Sequence, residues 1–176
     1  MSDQPQARRV ARIAVVVGNP KAGSRTATAA LAVARRVAPG AAVTTVELAD
    51  LAAELFDWRS EKVAAAKAQV LDADLVVVAS PTYKATYTGL LKAFLDRFGA
   101  DELAGTPVIP VMLAAAPHHA LAVEVHLRPL IVEIGGATPT RGVFFVDSDV
   151  EDDATLAARL ETWAQPQAAA LATITG

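Results

Sequence analysis

Apolar runs alternate along the chain with stretches of helical spacing. The first run, "VARIAVVVG" (10–18), is short, rich in β-branched residues and nearly free of charge. That pattern predicts a strand covered on both faces. From Ser24 onward, Ala27, Ala30, Leu31, Ala34 and Val37 recur on one helical face, and Pro39-Gly40 stops the pattern. "AAVTTVEL" (41–48) reads as a second strand, nearer an edge because it is more polar. Residues 49–58 fit neither period, and 60–73 reads as a helix with Ser60 as its cap.

"DLVVVASP" (74–81) is the clearest strand and "TGLLKAFLDRFG" (88–99) the clearest helix, with Leu90, Leu91, Phe94, Leu95 and Phe98 on one face. "TPVIPVMLAAA" (106–116) reads as a strand in which Pro110 is expected at an end or a bulge. Residues 119–135 suit a helix that Pro129 should bend. A strand at 142–146 and a helix at 152–165, capped by Asp152 or Asp153, close the series. Strict β-α alternation over five strands predicts a parallel sheet with helices on both faces, in the flavodoxin-like order 2-1-3-4-5. In such a sheet, ligands sit beyond the carboxyl ends of the strands at the switch point beside strand 1. The loops at 18–26, 80–87 and 114–119 should therefore converge. The domain expected is single, residues 10–176, preceded by a flexible segment at 1–9.

Composition narrows this picture. The chain has 176 residues, enough for one domain, and only 5% are aromatic, so the core is built from Ala, Val and Leu. A net charge of −3 with no long basic run argues against nucleic acid as a partner. The absence of cysteine excludes disulfides, thiolate catalysis and Cys-held metals. The polar start "MSDQPQARR" lacks an apolar signal core, and the longest apolar stretch, "TPVIPVMLAAAP", is too short to span a bilayer. The expectation is a soluble cytoplasmic protein.

The candidate chemistry lies in the three loops. "GNPKAGSRT" leaves the first strand through a small, positive, hydroxyl-rich turn and opens a helix. A helix start offers unpaired N–H groups and a positive dipole end, so Ser24, Arg25 and Thr26, with Lys21, form a candidate anion site. A glycine turn with a Ser cap and a solvated Arg is the alternative. The loop is neither a Walker A motif nor G-x-G-x-x-G. "SPTYKATYTG" carries Pro81, Thr82, Tyr83 and Lys84, suited to the edge and face of a flat heterocycle, or else to a plain polar turn. "LAAAPHHALAV" is small enough at Ala114, Ala115 and Ala116 for close approach to a ring. His118, His119 and His126 lack a fixed carboxylate, so a structural or capping role outweighs a metal site.

These three loops resemble the NAD(P)H-dependent FMN reductase family, through "GNPKAGSRT", "SPTYKATYTGLLKAFLD" and "HALAVEVHLRPLI". The likeness is strongest to flavin reductases that supply two-component sulfonate monooxygenases. The resemblance implies FMN, with NADPH or NADH as reductant. Ser24, Arg25 and Thr26, helped by Lys21, would hold the FMN phosphate; Pro81, Thr82, Tyr83 and Lys84 would line the ribityl chain and ring edge; Ala114, Ala115 and Ala116 would pass the ring where relatives often carry glycine. It also implies a homodimer or homotetramer, a monooxygenase partner, and no catalytic side chain. The alternatives are an FMN-containing quinone, azo or metal reductase, and a flavodoxin-like carrier without NAD(P)H turnover; carrier flavodoxins are usually more acidic. A hydrolase is disfavoured by the lack of a G-x-S-x-G elbow.

Overall fold

Five strands pair in parallel in the order β2-β1-β3-β4-β5 in the computed structural model, which describes residues 10–176. They are β1 (Arg12–Val17), β2 (Ala42–Glu47), β3 (Leu75–Pro81), β4 (Val108–Ala114) and β5 (Val143–Val146). The expected topology is therefore observed, with the polar strand β2 at an edge. The expected flexible segment at 1–9 lies outside the described residues.

The helices are α1 (Arg25–Val37), α2 (Glu61–Leu71), α3 (Gly89–Leu95), α4 (Arg128–Glu133), α5 (Asp153–Ala164) and α6 (Ala168–Thr175). Alternate strand residues face opposite layers. Ile13, Val15, Val17, Val77, Ile109 and Phe145 pack with α1, α5 and α6. Ala14, Val16, Val76, Val78 and Met112 pack with α2, α3 and the 122–134 segment. The first layer is rich in Ala and Val, the second adds Leu91, Phe94, Leu95 and Phe98 of the α3 region, and β3 is buried on both faces for nearly its whole length. This explains why its run is uniformly apolar rather than alternating.

Three elements depart from the sequence reading. Pro110 lies inside β4, not at its end or a bulge. Val108 N donates to Ala137 O on the β5 side, and Thr82 N donates to Leu113 O on the β3 side. Ladder alternation puts the missing N–H of Pro110 on the β5 side, one residue before β5 pairing starts at Val111 with Val143. No ladder bond is lost there.

The expected helix 119–135 is broken into a 3-10 turn (Pro117–His119), a π turn (Val123–Leu127) and α4. Arg128 N donates to Val123 O, five residues back. Pro129, next in line, has no N–H to give, and the wide turn absorbs its ring. Finally, the chain beyond Gln165 makes a helix of its own, α6, whose Leu171 and Ile174 are buried.

Candidate functional site

The first loop is held at both ends. Gly18 N donates to Ala79 O at 2.7 Å. A Cβ at Gly18 would meet Leu91 Cβ at 2.7 Å and Ala79 O at 3.2 Å, so only glycine fits. The Asn19 amide bridges the turn: its Oδ1 accepts from Lys21 N at 2.9 Å and its Nδ2 donates to Thr26 Oγ1 at 3.0 Å. Gly23 sits at φ +61° and its N–H donates to Glu47 Oε1 at 3.1 Å. Ser24 caps α1, accepting from Ala27 N at 3.4 Å. Among the described residues no acceptor meets the N–H groups of Ser24, Arg25 and Thr26. They are the orphan donors of a helix of thirteen residues, gathered at one point.

The second loop leaves β3 at Pro81. Thr82 N extends the ladder to Leu113 O at 2.6 Å, tying this loop to the tip of β4. The Thr82 hydroxyl, however, is buried and has no hydrogen-bond partner among the described residues. Tyr83 and Thr86 exchange backbone bonds of 2.9 and 3.3 Å around Lys84 (φ 52°) and Ala85 (φ 69°). Both central residues are left-handed, the backbone of a type I′ turn, without the Asn or Gly that this turn favours. A side chain in that region costs about 1–2 kcal/mol, and such strain gathers at ligand sites.

One residue joins the two loops. Thr88 caps α3 by accepting from Leu91 N at 3.1 Å, donates its hydroxyl to Gly18 O at 2.6 Å, and donates its N–H to Ser80 Oγ at 3.0 Å.

Between the loops lies a cleft of about 430 Å³ lined by Asn19, Lys21, Gly23, Ser24, Arg25, Thr26, Pro81, Tyr83 and Asp147. Six expected residues thus meet in one place: Lys21, Ser24, Arg25, Thr26, Pro81 and Tyr83. Thr82 and Lys84 flank Tyr83 in the same loop. Ala114, Ala115 and Ala116 lie at the tip of β4 and outside this lining; Ala114 is buried and Ala115 exposed.

Asn19, Gly23 and Asp147 line the cleft without having been expected there. Asn19 carried a signal, since an Asx residue two before a lysine in a glycine loop is a turn former. Asp147 reaches the cleft because α1 crosses over β3 and β4 to the turn after β5. That crossing also gives Arg25 its partners: Nη2 lies 2.9 Å from Glu151 and Nη1 3.8 Å from Asp147. The guanidinium is thus ion-paired as well as solvent-exposed.

The His118 and His119 rings meet in the turn after β4, tilted 52° to each other with centroids 4.1 Å apart, and His126 is exposed on the π turn. Among the described residues, no group of three or more His, Asp or Glu is placed to hold a metal. Also among them, no helix is long and apolar enough to cross a membrane.

The arrangement is chemically specific. Convergent N–H groups and two cations suit a phosphate, and an unpartnered buried hydroxyl beside a strained turn suits the polar edge of a ring. The residues present therefore fit FMN. Comparison with known proteins agrees. The chain is 36% identical over 129 residues to the NADH-dependent FMN reductase SfnE of Pseudomonas putida, covering 68% of this chain and 69% of that protein. It is 37% identical over 112 residues to an FMN reductase (NADPH) of Pseudomonas aeruginosa, covering 61% and 60%. The structure of an NADH:FMN oxidoreductase, EMOB, in its apo form superposes with a TM-score of 0.76 at 30% identity, over 93% of this chain and 88% of that one. The model of the NADPH-dependent FMN reductase family matches residues 11–151, and the chain belongs to that family.

Proposed function

We propose that this protein reduces FMN with NADPH or NADH, holding the flavin across the strand tips with its phosphate at the start of α1. The observation that carries the reading is the set of three N–H groups at Ser24, Arg25 and Thr26, without an acceptor among the described residues, at a cleft that Lys21 and Arg25 also line. Held by these residues, FMN would supply the redox chemistry, with the nicotinamide as hydride donor.

The chain's own residues bind and orient. The α1 amides and the Ser24 and Thr26 hydroxyls receive the phosphate, with Lys21 and Arg25 adding charge. Asn19, bonded to both Lys21 N and Thr26, keeps that loop in shape before the ligand arrives. Pro81 and Tyr83 wall the cleft, and the Thr82 hydroxyl gains in the flavin edge the partner that the protein denies it. Ala114, Ala115 and Ala116, at the next strand tip, offer backbone with little side chain in the way of a ring. No side chain is needed as acid or base, since the proton that accompanies the hydride can come from water at the open cleft.

The reading extends to the setting. The loop resemblance to flavin reductases that supply two-component monooxygenases supports delivery of reduced FMN to a partner monooxygenase, and use of NAD(P)H supports work in the cytoplasm. Exposed Leu121, Val125 and Val132 near α4 support assembly as a homodimer or homotetramer.

The test is an absorbance assay on purified protein. NAD(P)H oxidation should depend on added FMN and saturate with it. Oxidation that ignores FMN but saturates with a quinone would overturn the assignment.

A further inference from the structure

The cleft is built for an anion, yet it is not positive. Two cations line it, Lys21 and Arg25. Three carboxylates stand against them. Asp147 lines the same cleft and faces the Arg25 guanidinium at 3.8 Å. Glu151 pairs with Arg25 at 2.9 Å. Glu47 accepts from Gly23 N with one oxygen, while its other oxygen is buried without a partner among the described residues. The strongest donor at the site, the arginine fork, is therefore engaged in the free protein by two acidic groups from the turn after β5.

We propose that Asp147 and Glu151 compete with the FMN phosphate for Arg25 and so set the residence time of the flavin, making FMN a substrate that exchanges. The proposal rests on the FMN reductase reading above and assigns these two residues a specificity role within it. Arg25, Asp147 and Glu151 are all substantially exposed, with side chains 55%, 38% and 58% accessible. Pairs of this kind are screened and individually weak, so they yield to a phosphate dianion rather than exclude it. When the phosphate leaves, the carboxylates take the guanidinium back, and no desolvated cation is left behind. Affinity is given up and release is made easier, as a protein that hands reduced flavin to another enzyme requires.

The experiment compares wild type, Asp147→Asn, Glu151→Gln and the double variant by fluorescence titration with FMN and with riboflavin, and by stopped-flow displacement of FMN. Riboflavin lacks the phosphate. The double variant should bind FMN on the order of tenfold more tightly and release it correspondingly more slowly, with riboflavin affinity unchanged. In an Arg25→Ala background most of that gain should vanish. FMN affinity that is unchanged or weaker in the double variant overturns the proposal alone, as does a gain shared by riboflavin or retained in full without Arg25. Wild type that binds no FMN overturns the functional reading as well.

Discussion

Thr88→Val is the sharpest probe of how the cleft is held together. Valine keeps the shape and removes the hydroxyl. Two bonds go with it: the cap on Leu91 N at 3.1 Å and the donation to Gly18 O at 2.6 Å. Loss of a helix cap costs about 0.5–2 kcal/mol. Thr88 is 4% exposed, so water does not replace the donor on the Gly18 carbonyl, and leaving such a group unpaired costs about 1–3 kcal/mol. Together the substitution should cost about 2–4 kcal/mol, a large share of the ~5–15 kcal/mol that holds a typical domain. In a chain of this size each kcal/mol moves Tm by about 2–4 °C. Urea unfolding should show the loss as a lower midpoint at unchanged slope. Thr88→Ser keeps both bonds and should recover nearly all of the stability. Because the lost hydroxyl bond to Gly18 O is what ties the first loop to the second, the two should loosen in the valine variant, and both FMN and riboflavin should bind less well. Valine within about 0.5 kcal/mol of wild type, or serine as damaging as valine, would refute the strut.

Other substitutions test separate parts of the argument. Gly18→Ala should destabilise by about 1–3 kcal/mol in urea titration, since the new methyl meets the fully buried Leu91 at 2.7 Å; a neutral result would mean that α3 can shift. Ala85→Gly should stabilise the fold by about 0.5–1 kcal/mol by relieving the left-handed turn, read as a higher urea midpoint, and an unchanged midpoint would deny the strain. The bonds from Arg128, and then the Gly142 N–H, hold the Glu124 carboxyl below the usual carboxylate range. Its contribution is full above the unfolded value of about 4.3 and is lost as pH falls through the lower folded value. The stability gap between wild type and Glu124→Gln should therefore be open at neutral pH and close in acid; a gap that does not change with pH would contradict the pairing.

The parts of this protein that sequence reveals are those whose physics is local or periodic. Each strand core, the Ser24 and Ser60 caps and the crossover order follow from neighbours within a few residues and from the handedness of β-α-β units. Pro110 shows where that stops. Its tolerance depends on β5 beginning one residue later on the adjoining edge, a fact of register that the proline's own neighbours do not carry. The same holds for the break before α4. Pro129 announces a disturbance, but not that the chain answers it with a π turn rather than a bend.

At the site the division is the same. The loop 18–26 could be read as an anion cradle because its donors are consecutive. The partners of Arg25 could not, because Asp147 and Glu151 lie more than a hundred residues away and arrive only when α1 crosses β3 and β4. An isolated arginine at a helix start reads as a phosphate ligand of full strength, whereas the folded chain delivers it already engaged. The motif thus states what is bound. How long it stays bound is decided by the tertiary neighbours of one guanidinium, and relatives sharing the motif can differ there without any change in the loop itself.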